Sequence, residues 1–93
     1  MEIKFSIEYS DEVIKKDIPK LSPEWKKKIG EAIETKLATY PEAFGKPLRY
    51  SLRGHRCLRI ADYRVVFRIQ KNIVKILAIK HRENIYKIQR EDF

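Results

Sequence analysis

Residues 62–69 read DYRVVFRI and carry two arginines whose spacing could bind an anion. The stretch alternates between polar and apolar positions like a half-buried strand, which puts Arg64 and Arg68 together on the polar side. A guanidinium group presents a planar fork of N–H donors that matches the oxygens of a phosphate. The pattern therefore predicts a phosphate-binding surface held on a rigid strand.

The hairpin expected before this strand brings another arginine beside Arg64. If residues 61–62 form a two-residue turn, Arg59 lies directly opposite Arg64 on the adjacent strand. Like charges in that position are destabilising unless an anion lies between them. A sequence selected only for stability would avoid the arrangement, so the pair favours a function in binding oxyanions.

A second tight turn after the strand would place further basic groups on this face. The resulting register pairs Arg64 with Ile79 and puts His81 one step beyond, on the same face as Arg64. Arg68 and Lys75 then lie opposite each other farther along. The sequence predicts one positive track that ends in a histidine.

Such a patch could support RNA cleavage without a metal. The ribose 2′-hydroxyl attacks the adjacent phosphorus, so the protein must remove its proton, stabilise charge on the phosphoryl oxygens and protonate the leaving 5′-oxygen. Arginine suits only the second task, whereas an imidazole, or a tyrosine hydroxyl among cations, could serve the others. His81 and Tyr86 are the candidates, although residues of both types also occur at strand ends and sheet edges for structural reasons.

The formal net charge of +8 is concentrated in one half of the chain. Residues 1–45 hold 8 Lys or Arg against 9 Asp or Glu, whereas residues 46–93 hold 13 against 4, and 8 of those 13 are arginines. An anionic partner such as nucleic acid is the natural inference. The alternative is a solvated basic face that only aids solubility.

Length and composition predict one cytoplasmic domain, residues 1–93, with no metal or other cofactor. The 43% of hydrophobic residues suffice for a single core, and no apolar run approaches the ~18 residues of a membrane span. The N-terminus lacks the order of charged, apolar and small residues typical of a signal peptide. A single cysteine, Cys57, together with His55 and His81 offers no ligand set for zinc.

The apolar periodicity and the turn residues predict an α+β fold. The expected elements are a strand at 2–8, a short helix capped by Ser10 and ending before Pro19, a helix from Ser22-Pro23 to about Tyr40 with an apolar stripe at Trp25, Ile29, Ile33 and Leu37, strands at 56–61, 63–70 and 73–80, and a helical turn or tail at 82–93. The order is β-α-α-β-β-β. Two helices from the N-terminal half should therefore pack on one face of a mostly antiparallel four-stranded sheet.

Residues 46–86, KPLRYSLRGHRCLRIADYRVVFRIQKNIVKILAIKHRENIY, resemble the RelE/ParE superfamily of toxins from type II toxin–antitoxin systems. The shared features are a Pro-Leu pair and a glycine in the basic loop, a strand leading into Asp-Tyr-Arg, and an apolar strand closing in His-Arg-x-x-x-Tyr. The superfamily also has the order strand, two helices, three strands. The resemblance therefore implies the same α+β fold.

For RelE-like members, the resemblance implies cleavage of mRNA in the ribosomal A site. Arg64 matches the family's phosphate-binding arginine and Arg59 a basic residue on the preceding strand, while His81 and Tyr86 match positions that move protons. These four are the predicted catalytic residues. The predicted RNA-binding or phosphate-binding residues are Arg53, Arg56, Arg68, Lys80 and Arg82, of which Arg56 and Lys80 should point to the opposite face by strand alternation.

The resemblance also implies a cognate antitoxin that covers the basic face or displaces the C-terminal segment in a hetero-oligomer. It leaves the activity open, because ParE-like members inhibit DNA gyrase without cutting RNA, and a degenerate toxin would bind only RNA or its antitoxin. Cys57 stands where RelE-like nucleases often carry another cation, and Ala61 replaces a glycine common before Asp-Tyr-Arg. We expect Cys57 to be a buried or half-buried apolar residue rather than a nucleophile.

Overall fold

A single mixed sheet organises the molecule. The computed structural model describes residues 5–44, 46–47 and 54–84. The strands are β1 (Ser6–Tyr9), β2 (Lys46–Pro47), β3 (Arg56–Ile60), β4 (Tyr63–Gln70) and β5 (Ile73–His81). Their order in the sheet is β1-β5-β4-β3-β2, with β1 parallel to β5 and the other neighbours antiparallel. The predicted α+β class is confirmed, and the two-residue β2 adds a fifth strand at the start of the basic loop.

The two serines predicted as caps each accept a backbone hydrogen bond at the start of a helical segment. The segments are α1 (Val13–Asp17), which is π-helical, a 3₁₀ turn (Ile18–Lys20), α2 (Pro23–Ala32) with a π-helical continuation (Ile33–Leu37), and α3 (Pro41–Phe44). Ser10 Oγ accepts a hydrogen bond from Val13 N–H at 3.3 Å, and Ser22 Oγ accepts one from Trp25 N–H at 3.3 Å.

The first helix ends before Pro19, as predicted: α1 ends at Asp17, and the proline lies in the separate 3₁₀ turn that follows. A proline at the start of a helical turn has no N–H to satisfy there, so it continues the chain direction without losing a hydrogen bond.

The core lies between α2 and the sheet. Ile29, Ile33 and Leu37 of the predicted stripe are 1%, 0% and 0% exposed, and they pack in one cluster with residues of β3, β4 and β5 that include the fully buried Phe67. Each such side chain contributes roughly 1.5–3 kcal/mol by leaving water. Trp25, at the start of the stripe, packs partly buried against this core, as predicted.

The β4–β5 hairpin is regular at its turn and irregular at its far end. Gln70 pairs with Ile73 and Phe67 with Ile76, but Val66 then pairs with Ala78, so Leu77 has no partner across the ladder. A bulge of this kind shifts every later pair by one residue. β4 and β5 lie where the sequence predicts them, but their pairing beyond Phe67 differs from the predicted register.

Both hairpin turns use a residue with positive φ. Ala61 has φ 53° and Lys71 has φ 55°, in the left-handed region that side chains with a Cβ adopt at a cost. The turns at 61–62 and 71–72 are as predicted, and Ala61 takes the conformation for which a glycine would be suited.

Among the described residues, no helix is long and apolar enough to cross a membrane.

Candidate nucleic-acid interface

Three cations lie side by side across three strands at one end of the sheet. Arg59 of β3 pairs with Arg64 of β4, as predicted, and Arg64 in turn pairs with Lys80 of β5. Paired residues share a face of the sheet, so these three positions form one line, here called the cation row. The predicted pairing of Arg64 with Ile79 is wrong, and so is the expectation that Lys80 belongs to the opposite face. The bulge at Leu77 causes both differences.

The guanidinium of Arg64 is held over the β3–β4 turn. Its Nη1 donates hydrogen bonds to the carbonyl oxygens of Ala61 and Tyr63, each at 3.0 Å. Arg59 beside it is exposed. Within the described part of the chain, neither arginine forms an ion pair with a carboxylate. With respect to the described residues, the two guanidinium groups therefore offer unneutralised positive charge to an oxyanion.

The third cation is neutralised from the edge of the sheet. Lys80 Nζ donates to Asp17 Oδ1 at 2.6 Å, and Asp17 Oδ2 accepts the backbone N–H of Ile79 at 2.9 Å. Asp17 is 4% exposed. The sequence analysis did not identify Asp17. It lies four residues, about one helical turn, after the fully buried Val13, and an acid on the inner face of a helix indicates a buried partner.

His81 lies beside the row but on the other face. It pairs with Tyr63 rather than continuing the face of Arg64, so the prediction of a shared face is wrong for the same reason as above. Its ring stands edge-on to the ring of Tyr63, with centroids 5.6 Å apart, and Tyr63 packs on Trp25 at 5.0 Å. His81 Nδ1 accepts the N–H of Glu83 at 3.3 Å. Tyr63 and Trp25 thus support the histidine, a role that their apolar spacing alone did not reveal.

Arg82 joins the end of β5 to the turn before β4. Its N–H donates to the Asp62 carbonyl oxygen at 2.7 Å, and its Nε lies 3.9 Å from Asp62 Oδ1, with both side chains well exposed. An exposed pair at this distance contributes little to stability. Its effect is geometric, since it keeps residues 80–82 next to the arginines.

The other predicted contact residues lie elsewhere. Arg56 pairs with the core residue Phe67 and so faces the helices, as strand alternation predicts; its Nη1 donates to the Glu42 carbonyl oxygen at 3.5 Å. Arg68 pairs with Lys75, as predicted, at the opposite end of β4 from the cation row. Its buried Nε has no hydrogen-bond partner among the described residues. Arg53 and Tyr86 fall outside the described residues.

Cys57 is a buried small residue, as expected. It pairs with Val66, which in turn pairs with Ala78, and all three are buried on the face that carries the cation row. Burial raises the pKa of the Cys57 thiol, and the nearby charges of Arg64 and Arg59 lower it by less. A thiol with a raised pKa is a poor nucleophile at neutral pH. Elsewhere, no group of three or more metal-binding side chains occurs among residues 5–44, 46–47 and 54–84.

A single sheet with helices on one face is a fold that this chain shares with known small toxins. The sequence profile described as the ParE toxin of the type II toxin–antitoxin system parDE matches residues 7–86. The chain therefore belongs to the ParE toxin family, within the RelE/ParE superfamily that its sequence resembles.

Individual relatives agree with this assignment. The chain is 35% identical over 75 residues to Toxin RelG of Mycobacterium tuberculosis, a match that covers 78% of this chain and 86% of that protein. The structure is similar to a chain of the toxin–antitoxin complex RelBE2 from Mycobacterium tuberculosis, with a TM-score of 0.81, 29% identity and coverage of 86% and 93% of the two chains. It also shares its fold with a chain of the YoeB–YefM complex from Staphylococcus aureus, with a TM-score of 0.61, 23% identity and coverage of 84% and 97%.

Proposed function

We propose that this toxin is a ribosome-dependent endoribonuclease that cuts mRNA without a metal ion. The observation that carries the proposal is the direct cross-strand pair of Arg59 and Arg64, with no carboxylate bound to either in the described part of the chain. Such a pair is destabilising unless an anion neutralises it, and a phosphodiester is the anion that mRNA supplies.

The proposed reaction uses the RNA's own 2′-hydroxyl. The 2′-oxygen forms a bond to phosphorus as the bond from phosphorus to the 5′-oxygen breaks, leaving a 2′,3′-cyclic phosphate and a 5′-hydroxyl. Arg64 and Arg59 bind the phosphoryl oxygens, where negative charge grows in the transition state. Lys80 and Arg82 complete the positive surface at the end of β5, and the predicted contacts of Arg53 and Arg68 would guide the strand outside the reaction centre. The predicted contact of Arg56 is not part of this proposal, because its side chain faces the helices.

His81, whose ring lies on the other face of the sheet, is proposed to reach the phosphate around the end of β5. As the neutral ring it would donate a hydrogen bond from Nε2 to a phosphoryl oxygen, and it would protonate the leaving 5′-oxygen only as the imidazolium, after Nδ1 has released the Glu83 N–H and taken up a second proton. Because Nδ1 accepts the Glu83 N–H, the neutral ring carries its proton on Nε2, which can donate but cannot accept. The ring can take up a second proton at Nδ1 only by giving up the bond to Glu83. Removal of the 2′-hydroxyl proton is therefore proposed for Tyr86 rather than for His81.

We also propose a cognate antitoxin and the ribosomal A site as partners. The related RelBE2 and YoeB–YefM structures are toxin–antitoxin complexes. A segment with acidic groups that folds onto the cation row would neutralise Arg59 and Arg64 and block the same site that mRNA would occupy.

The test is to mix the purified protein with ribosomes programmed with a defined message and to map the new ends. We expect cuts that leave a 2′,3′-cyclic phosphate and a 5′-hydroxyl. Lys27→Ala on α2 removes one exposed positive charge from the helical layer and should cut like the wild type. Intact message under conditions in which expression of the protein arrests growth would falsify the nuclease proposal.

A second candidate is a ParE-type toxin that stalls DNA gyrase without cutting RNA. The match to the ParE family profile favours it, and so does Cys57, which stands where a nuclease would gain from another cation. In that case His81→Ala should leave toxicity unchanged, and cells should show a DNA-damage response with uncut message. A degenerate toxin would give neither signal and would bind only its antitoxin or RNA.

A further inference from the structure

Asp17 is a buried carboxylate attached to the end of the cation row. It is the one charged side chain among the described residues that is buried, at 4% exposure. Its Oδ1 accepts from Lys80 Nζ at 2.6 Å, and its Oδ2 accepts from the Ile79 N–H at 2.9 Å. Burying a carboxylate is costly unless its oxygens are bonded, and here each oxygen has a donor.

Asp17 occupies the edge of β5 where β1 has already ended. The parallel pairing of β1 with β5 stops at Tyr9 and Ile76, and the last bond runs from Ser10 N–H to the Ile76 carbonyl oxygen at 3.0 Å. The bulge at Leu77 follows immediately. Beyond that point the Asp17 carboxylate, rather than a neighbouring strand, accepts the hydrogen bond from the edge of β5, next to Lys80 at the end of the cation row.

We propose that Asp17 is a positioning residue that holds the Lys80 ammonium, and the end of β5, in line with Arg64 so that both act on the same phosphate. This inference rests on the proposed nuclease function. The ammonium has three N–H donors and Asp17 takes one, while the Lys80 side chain keeps 27% of its surface exposed. Among the described residues, the remaining donors have no partner, so they can meet an oxyanion on the face of Arg64.

The directions of the expected changes in RNA binding and in cleavage distinguish a positioning role of Asp17 from a purely stabilising one. Asp17→Asn keeps an oxygen for the Ile79 N–H but removes the charge that fixes Lys80. The row then becomes more positive, so RNA binding should stay within about threefold of the wild type or tighten. Cleavage should nevertheless slow by about 10- to 100-fold, because the ammonium is no longer held where the transition state needs it.

The experiment measures binding of an uncleavable, fully 2′-O-methylated oligonucleotide and single-turnover cleavage on programmed ribosomes for each variant. Glu12→Gln is the charge control, because Glu12 forms an exposed pair with Lys16 at 3.5 Å near the same helix. Ile33→Val is the stability control, because it removes one methyl group from a fully buried side chain. Both controls should cleave within about twofold of the wild type once corrected for the folded fraction.

A double-variant cycle tests whether Asp17 acts through Lys80. In a Lys80→Gln background, Asp17→Asn should change cleavage by less than about twofold, because the group that it positions is gone. If Asp17→Asn cleaves at the wild-type rate, or loses cleavage only in proportion to unfolding as Ile33→Val does, the inference is overturned while the nuclease function stands.

If the wild type does not cut message, the proposed function fails separately, and titration with inorganic phosphate decides the role of Asp17. We then expect phosphate to shift the backbone amide resonances of Arg64 and Lys80 together in the wild type, but that of Arg64 alone in Asp17→Asn. The same pattern in both proteins would overturn the inference.

Discussion

The two halves of the β4–β5 hairpin differ in register and in what covers the outer edge of β5. In the turn-proximal half, Gln70 to Phe67 pair with Ile73 to Ile76 in the register that the tight turn and the alternation dictate, and β1 covers the outer edge of β5. In the far half, the bulge at Leu77 shifts the register and the carboxylate of Asp17 covers that edge. Both halves contribute to the core, but only the shifted half assembles the cation row and the support for His81. Bulges are used in this way to re-aim side chains next to functional sites.

The largest expected difference between the halves is catalytic. Arg64→Ala in the shifted half should remove about 2 to 4 kcal/mol of transition-state stabilisation, a loss of about 30- to 900-fold in single-turnover cleavage. Arg68→Ala should lose tenfold or less, because Arg68 lies four residues, or about 13 Å, farther along the same strand. Cleavage rates on programmed ribosomes measure both. Equal losses for the two variants would mean that the whole basic face acts as one electrostatic surface.

Stability should also differ between the halves. Asp17→Ala leaves the buried Ile79 N–H without its acceptor, so the free energy of unfolding should fall by about 1 to 3 kcal/mol. Glu8→Ala is the matched change on β1, where backbone groups pair with β5 and the side chain is exposed, and it should cost less than about 0.5 kcal/mol. Urea unfolding followed by circular dichroism checks both values, and a loss for Glu8→Ala as large as for Asp17→Ala would contradict the assignment.

Much of this contrast could be read from the sequence, and the rest could not, for a physical reason. The alternation in DYRVVFRI and the turn residues sufficed to predict the strands, the turns and the Arg59–Arg64 pair. The shift at Leu77 was not predictable from alternation, since the run ILAIK is apolar on both faces and an extra residue there changes no polarity pattern. The positions of Lys80 and His81 depend on that shift, and so the sequence located the arginines correctly and the groups on β5 incorrectly.

Glycine substitutions at the two hairpin turns should have a smaller effect on the free energy of unfolding, and a similar one at both turns. Ala61 and Lys71 both have positive φ, so glycine at either position should raise the free energy of unfolding by up to about 1 kcal/mol. Ala61→Gly keeps the carbonyl oxygen to which Arg64 Nη1 donates, so cleavage should not change. Thermal unfolding together with the cleavage assay tests this pair, and a destabilised Ala61→Gly protein would show that the side chain makes contacts that compensate for the strained turn.

The smallest expected effect concerns the Cys57 thiol. Its raised pKa keeps most of it protonated at neutral pH, so iodoacetamide should modify it more slowly in the folded protein than in the unfolded chain, and faster as pH rises. Arg64 lowers that pKa, so Arg64→Gln should raise it further and slow alkylation by less than about tenfold. Arg68→Gln removes the same charge from the regular half and should leave the rate unchanged. Faster alkylation in Arg64→Gln would show that access, rather than charge, controls the thiol.

The most direct test is to map where RNA meets the sheet. Amide resonances of the labelled protein would be followed during titration with the fully 2′-O-methylated oligonucleotide, which can bind but cannot be cut. We predict that the resonances of Arg59, Arg64 and Lys80 move together and saturate together, and that those of Arg68 and Lys75 move less. Saturable shifts confined to Arg68 and Lys75, or no saturable shifts at the cation row, would contradict the account.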